Sequence, residues 1–256
     1  MNNAIELSHV TKTYPTFALR DLSLTLPTGC IMGLVGENGA GKSTTLRLIM
    51  NTIDRDSGEI TVLGQDNRSD AFRELKNDIG VVLDEAYFPE VLNPRQVGQV
   101  MAQTYTRWDE ATYAGYVDRF ALPWKQRFKD FSRGMKMKLA IAVALSHSPR
   151  LLLLDDPTSS LDMKNQLHTL GLVQSLAREK RLTVVIAIHD LNLAALYCDR
   201  LYVLKNGKIV LQGTPEEVLT EEHIYEVYGV KSSVSIHPVT GKLAITYLPE
   251  ALQNIA

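Results

Sequence analysis

The chain has little with which to staple itself together. It holds two cysteines in 256 residues, and these, Cys30 and Cys198, stand far apart with no metal or redox spacing. A disulfide framework is therefore excluded as an organising device, and a reducing compartment is expected. No apolar run approaches the roughly 20 residues of a membrane span. The first residues, M-N-N-A-I-E-L-S-H-V, lack the basic and apolar regions of a signal peptide, so a soluble, intracellular chain is expected. Excess charge of one sign is missing too. Lys plus Arg is 27 against Asp plus Glu at 29, a net charge of −2, which gives no reason to expect affinity for nucleic acid. Internal repeats and low-complexity tracts are absent. What remains is a globular composition, 45% apolar and 22% charged, long enough to bury a sizeable core.

The most informative stretch is Gly36 to Thr44, G-E-N-G-A-G-K-S-T. It has two glycines bracketing four residues apart, followed by Lys and Ser. Before it, Cys30 to Val35 reads as a short buried strand; after it, Lys42 to Met50 reads as a helix, with Leu46, Ile49 and Met50 at helical spacing. Strand, glycine loop and helix are the context in which such a loop cradles phosphates. Gly36, Gly39 and Gly41 let several backbone N–H groups face a phosphate, and the helix N-terminus adds its positive dipole end. Asn38, Ala40 and Thr44 complete the cradle. Lys42 reaches the β and γ phosphates, and the Ser43 hydroxyl ligates Mg²⁺.

Alternating apolar and polar residues predict strands between 4 and 26, with Tyr14 and Pro15 in the loop between them. Further strands are predicted over 57–64 and 78–83. From about 86 to 150 the pattern turns helical: Val97 to Tyr105, Asp109 to Phe120 with Asp109 as N-cap, and Met135 to Ser146 with Met135, Leu139, Ala142 and Val143 on one stripe. This stretch interrupts an α/β pattern and is read as an inserted subdomain. Leu151 to Leu154 is an all-apolar strand of the kind covered on both faces. A helix over 162–179 and a strand over 183–188 follow. Asn206-Gly207 marks a hairpin, and Thr214-Pro215-Glu216-Glu217 a helix start. The last 35 residues hold a short helix and a second hairpin around His237 to Gly241; 223–256 is read as a C-terminal extension.

Several strand ends carry the remaining chemistry. Asp155 offers a carboxylate to hold Mg²⁺ through water. Asp156 stands where a general base would orient an attacking water, or else caps the turn before Pro157. His189 is placed to bond a γ-phosphate, although a lone strand-end histidine is also an ordinary structural residue. Tyr14 can stack on a base or simply pack.

Taken in this order, the set resembles an ATP-binding-cassette ATPase, the nucleotide-binding subunit of ABC transporters, over essentially the whole chain. Phe131-Ser132-Arg133-Gly134-Met135 stands where that family's signature usually reads L-S-G-G-Q, and keeps Ser132 and Gly134. Ser159-Ser160-Leu161-Asp162 resembles its D-loop, His189 its switch histidine and Tyr14 its adenine-stacking aromatic. The resemblance implies a single α/β cassette over 1–256: a P-loop NTPase (RecA-like) core, an antiparallel β subdomain and a helical subdomain inserted at 86–150. It implies ATP and Mg²⁺ as cofactors and a head-to-tail dimer, of identical or related chains, closing around two ATP. Ser132, Gly134, Met135 and Asp162 of each chain would meet the other's nucleotide. The dimer would drive a multi-span permease from the cytoplasmic face of the membrane. Other classes weighed are a soluble, non-transport ABC ATPase, disfavoured because the chain has one cassette and no coiled coil, and a P-loop kinase, which needs no signature segment.

Two positions depart from the family. Asp84 stands where a Gln usually ligates Mg²⁺, adding negative charge beside a triphosphate. Asp156 replaces the usual Glu and is shorter by one methylene, which implies slow turnover with normal ATP binding. The resemblance also looks mosaic. Up to about residue 155 it is nearer to multidrug or peptide-antibiotic exporters, and from about 159 nearer to importers of ferric siderophores, haem or cobalamin. Because the permease-docking surface lies mostly in the first piece, export is the expected direction.

Overall fold

The structure is a computed structural model, and it describes residues 2–83, 88–159 and 161–249. In chain order the elements are β1 (Asn3–Thr13), β2 (Ala18–Pro27), β3 (Ile31–Val35), α1 (Lys42–Ile49), β4 (Ser57–Val62), β5 (Gln65–Asp66), α2 (Ala71–Leu75), β6 (Ile79–Val82), α3 (Pro94–Thr104), α4 (Glu110–Arg119) and α5 (Arg133–Leu145). There follow β7 (Leu151–Asp155), α6 (Met163–Lys180), β8 (Thr183–Ala187), α7 (Leu191–Tyr197), β9 (Arg200–Lys205), β10 (Lys208–Gly213), α8 (Pro215–Val218), α9 (Glu221–Tyr228), β11 (Ser232–Ile236) and β12 (Leu243–Tyr247). They form two compact units, one of residues 1–67 with 186–256 and one of residues 68–185. No helix among the described residues is long and apolar enough to cross a membrane.

In the first unit an antiparallel sheet runs β2-β1-β4-β5. Its strands alternate buried and exposed residues, as in Leu22-Ser23-Leu24-Thr25-Leu26, because one face is wet and the other covered. A second group runs β10-β9-β3, with β3 parallel to β9 and fully buried. The Tyr202 hydroxyl of β9 joins the two, donating to Thr25 O at 2.7 Å and accepting the Thr25 N–H at 3.2 Å. The β9–β10 turn has Asn206 at φ 49° and Gly207 at φ 75°, the left-handed pair that a two-residue hairpin of this twist needs. Behind the phosphate-loop helix, buried Asn67 donates to Leu48 O (2.7 Å) and Ile49 O (3.1 Å), the C-terminal carbonyls of α1. Its own amide oxygen is held by the buried Arg55 guanidinium. Orphan carbonyls at a helix end need such partners when water is excluded.

In the second unit β6 pairs parallel with β7, and β8 lies on the far side of β7. Helices α3 to α5 come between β6 and β7 in the chain. α3 starts at Pro94, earlier than the apolar pattern indicates, because Asn93 and Gln96 form a capping box with Pro at the first helical position. Asp109 caps α4 as expected, accepting the Thr112 N–H. The single stripe expected for α5 is corrected. Met135 is only half-buried, whereas Leu139 to Leu145 are buried without interruption. The reason is that α5 packs on β6 as well as on α3 and α4. A Cβ at Gly80 of β6 would lie 2.7 Å from Ala144 O, so only glycine permits that approach.

His147, just past α5, is fully buried. Its ring stacks on Tyr105 with centroids 4.0 Å apart, and Nδ1 lies 3.0 Å from Asn77 O, so Nδ1 carries the proton. Burial foremost, and then the nearby Arg107 charge, hold its pKa below the ordinary value, against the opposing pull of Asn77 O and Asp78. A folded pKa below the unfolded one means the stability contribution is complete above about pH 6.5 and is lost as pH falls, because the unfolded chain takes up the proton first. We expect the melting temperature to drop between pH 6.5 and 5, with a slope of up to about 1.4 kcal/mol per pH unit from this residue. His147→Phe, which keeps the stack, should flatten that part of the profile. An unchanged slope in the variant would assign the effect elsewhere.

Candidate nucleotide site

The first unit carries the glycine loop, and each of its three glycines adopts a positive φ: Gly36 146°, Gly39 82° and Gly41 113°. Two are also sterically required. A Cβ at Gly36 would sit 2.2 Å from Leu204 O, and one at Gly41 would sit 2.4 Å from Leu19 Cδ2 and 2.9 Å from Phe17 Cζ. At Gly39 nothing crowds the position, and only backbone conformation selects glycine there. Gly41 forms the N-cap of α1 without any side-chain cap, which suits a helix end built to meet an anion. Thr45 anchors the turn, its N–H and hydroxyl both donating to Gly41 O at 2.9 Å. Asn38 and Gly39 are exposed, Ala40 is buried, Ser43 is exposed on the first turn and Thr44 is half-buried.

Lys42 folds back over the loop. Its ammonium donates to Gly36 O at 2.7 Å and Glu37 O at 3.0 Å. A cation that donates to loop carbonyls can exchange them for phosphate oxygens, which are stronger partners. Tyr14 stands at the β1–β2 loop, its N–H bonded to Phe17 O at 2.7 Å. Lys12 Nζ lies 5.6 Å from its ring centroid. Phe17 and Leu19, which the sequence reading passed over, carry this loop against Gly41; their spacing has no signal beyond an ordinary strand start. Ile188 donates its N–H to Leu34 O at 3.0 Å, so exposed His189 leaves the end of β8 beside the end of β3. The first unit thus brings together the loop, the Tyr14 turn and the His189 turn.

In the second unit buried Asp155 ends β7. Asp156 follows at φ 47°, a left-handed conformation that Asp accepts more readily than most residues. Its carbonyl is bonded by the Ser159 hydroxyl at 3.1 Å. Ser132 is the N-cap of α5, its hydroxyl oxygen accepting the Met135 N–H at 3.2 Å. Gly134 lies against Leu161: a Cβ there would be 3.0 Å from Leu161 Cδ2. Asp162 caps α6, accepting from Asn165 N at 2.9 Å and Asn165 Nδ2 at 2.7 Å. These bonds hold its carboxyl below the usual range. Lys138 Nζ donates to Asn165 Oδ1 at 2.5 Å, which ties the Ser132 helix to the Asp162 turn. No sequence pattern announced that link. Asp84 lies outside the described residues, as does Ser160. Among the described residues no three His, Cys, Asp or Glu side chains are grouped to hold a metal.

Known proteins share this arrangement. A family model described as "ABC transporter" matches residues 19–159. A cobalamin import ATP-binding protein of Halobacterium salinarum is 35% identical over 242 residues, which is 92% of this chain; the chain spans 61% of that protein's length. A petrobactin import ATP-binding protein of Bacillus anthracis is 30% identical over 251 residues, covering 94% of this chain and 92% of its own. Among solved structures, an inward-facing metal-chelate type ABC transporter superposes with a TM-score of 0.82 at 23% identity, over 98% of this chain and 100% of its own. A dimeric ATP-binding cassette bound to ADP and Pi superposes at 0.75 with 25% identity, over 82% of this chain and 98% of its own. The fold is the mixed α/β cassette with its P-loop core, antiparallel sheet and helices. The expected exporter-like first piece is not supported: both relatives, named for import, run across more than nine-tenths of the chain, and so across most of its first 155 residues. The chain belongs to the ABC transporter family.

Proposed function

We propose that the chain is the ATP-hydrolysing subunit of an importer for a ferric siderophore, haem or cobalamin. The observation that carries this reading is the 30–35% identity to cobalamin and petrobactin import proteins along almost the whole chain. The shape of the glycine loop supports this reading. The glycine cradle, where Gly36 and Gly41 leave no room for a Cβ, receives the phosphates; Lys42 transfers from loop carbonyls to the β and γ oxygens; Tyr14 meets the base. Ser43 and Asp155 would hold Mg²⁺, which when bound neutralises developing charge on the phosphates. Asp156 orients and deprotonates the attacking water, and His189 bonds the γ-phosphate. Ser132, Gly134, Met135 and Asp162 act on the nucleotide of a second copy, so ATP favours the closed dimer by binding it better than the open one. The cassette comprises one inserted helical region at about 86–150 and a C-terminal extension at 223–256, and it sits peripherally on the membrane through a permease.

Reconstitution tests this. The chain, assembled in proteoliposomes with the permease encoded beside its gene, should hydrolyse ATP faster when cobalamin, a ferric siderophore or haem is presented on the opposite face. Accumulation of one of these inside a cell expressing the pair, lost on deleting the chain, is the matching result in vivo. Failure to stimulate with all three classes, or net extrusion of a compound, would overturn the importer reading.

A further inference from the structure

The C-terminal hairpin of β11 and β12 belongs to the same compact unit as the phosphate loop, yet nothing in the hydrolytic reading uses it. Its contacts lead to the His189 turn. α7 begins two residues after His189, with Asp190 as N-cap accepting the Leu193 N–H at 3.0 Å. In its first turn Asn192 grips one residue of β12 twice. Nδ2 donates to Ile245 O at 3.1 Å, and Oδ1 accepts the Ile245 N–H at 2.8 Å. The side-chain amide thereby does for this edge what a third strand would do. The hairpin's other strand is held by Glu221 of α9, which accepts the Val234 N–H at 2.9 Å. Tyr247 lies near enough to Asp190 for that carboxylate to add to burial in raising its phenol pKa. α7 is seven residues long, well under the length at which a helix holds itself in water. Its placement therefore depends on such anchors.

We propose that Asn192 is a positioning residue for ATP hydrolysis: by locking the first turn of α7 to β12, it fixes the backbone turn that carries His189. This rests on reading His189 as the residue that meets the γ-phosphate. The extension is then a brace for the hydrolytic site, since loosening the hairpin loosens the histidine. The chemistry asks for this, because a shift of about 1 Å in a group aligning the reacting phosphate costs on the order of 10²-fold in rate.

The test uses the full chain and steady-state ATP hydrolysis, with MgADP affinity as the check on folding and on the phosphate loop, since ADP offers no γ-phosphate. Asn192→Leu should lower maximal turnover about tenfold and leave MgADP affinity within about twofold. In a His189→Ala background the same substitution should change the rate less than about twofold, because the residue through which it acts is gone. Normal turnover in Asn192→Leu beside a crippled His189→Ala would overturn the proposal. So would a full additional tenfold loss in the double variant, which would mark Asn192 as a packing residue. A His189→Ala chain as fast as the parent would instead remove the reading of His189. Should Asn192→Leu fail to bind MgADP, Asn192→Asp keeps the acceptor for Ile245 N–H. It should show a loss of about threefold with the same dependence on His189, and independence would again overturn the idea.

Discussion

Replacing Lys42 by Ala should lower MgATP affinity by about 10²-fold or more, while the chain remains folded. The ammonium donates to Gly36 O and Glu37 O, and on binding it is expected to trade them for phosphate oxygens. Hydrogen bonds to charged groups are worth about 1.5–3 kcal/mol each, and about 2.8 kcal/mol is a factor of 10² in a dissociation constant. The loop itself keeps its shape through glycine φ values and the Thr45 bonds to Gly41 O, neither of which involves the lysine. ADP, with one phosphate fewer, should lose less than ATP. Lys42→Arg should not restore the parent, since a planar fork does not substitute for a point charge in a tight cradle. Titration of a fluorescent ATP analogue reads the result; parental affinity in Lys42→Ala would remove the nucleotide site from this loop.

The second large effect concerns Asp156. Asp156→Asn should reduce turnover by about 10²–10⁴-fold, the range for losing a positioned general base, with ATP affinity retained. Asp156→Glu should act in the opposite direction, raising turnover tenfold or more by restoring the missing methylene. Two effects compete in that variant. The residue sits at φ 47°, where Asp is tolerated better than Glu, so a stability loss on the order of 1 kcal/mol is expected. Reach governs rate and backbone strain governs melting temperature, so a faster but less stable enzyme is the expected outcome. An unchanged rate in Asp156→Glu would show that the shorter carboxylate already reaches its water, and the slow-turnover expectation would fall.

Much of this molecule was legible residue by residue, because its signals are local. The loop glycines declare themselves where left-handed backbone is required, and Gly36, Gly39 and Gly41 all adopt it. Asn206-Gly207 and Thr214-Pro215 folded as their turn and capping chemistry demand. α5 was misjudged because periodicity reports one covered face, and the close approach at Gly80 covers it on several sides. The start of α3 was legible in Asn93-Pro94-Arg95-Gln96 and was passed over. The exporter-like reading of the first 155 residues rested on short motifs and is not supported by relatives named for import, since loops of one family look alike whatever is carried.

The sequence alone determined the local features on which the proposed chemistry rests: three glycines in left-handed backbone, a lysine at the start of α1, carboxylates at a strand end, a histidine past another. Those features depend on neighbours a few residues away, through backbone conformation and helix ends. Tertiary structure alone decided how they are held: Phe17 and Leu19 against Gly41, Lys138 reaching Asn165, Leu161 over Gly134, and Asn192 gripping Ile245, 53 positions away. Such contacts join residues whose types are common and whose separation has no period, so nothing in the order of amino acids marks them until the chain has folded.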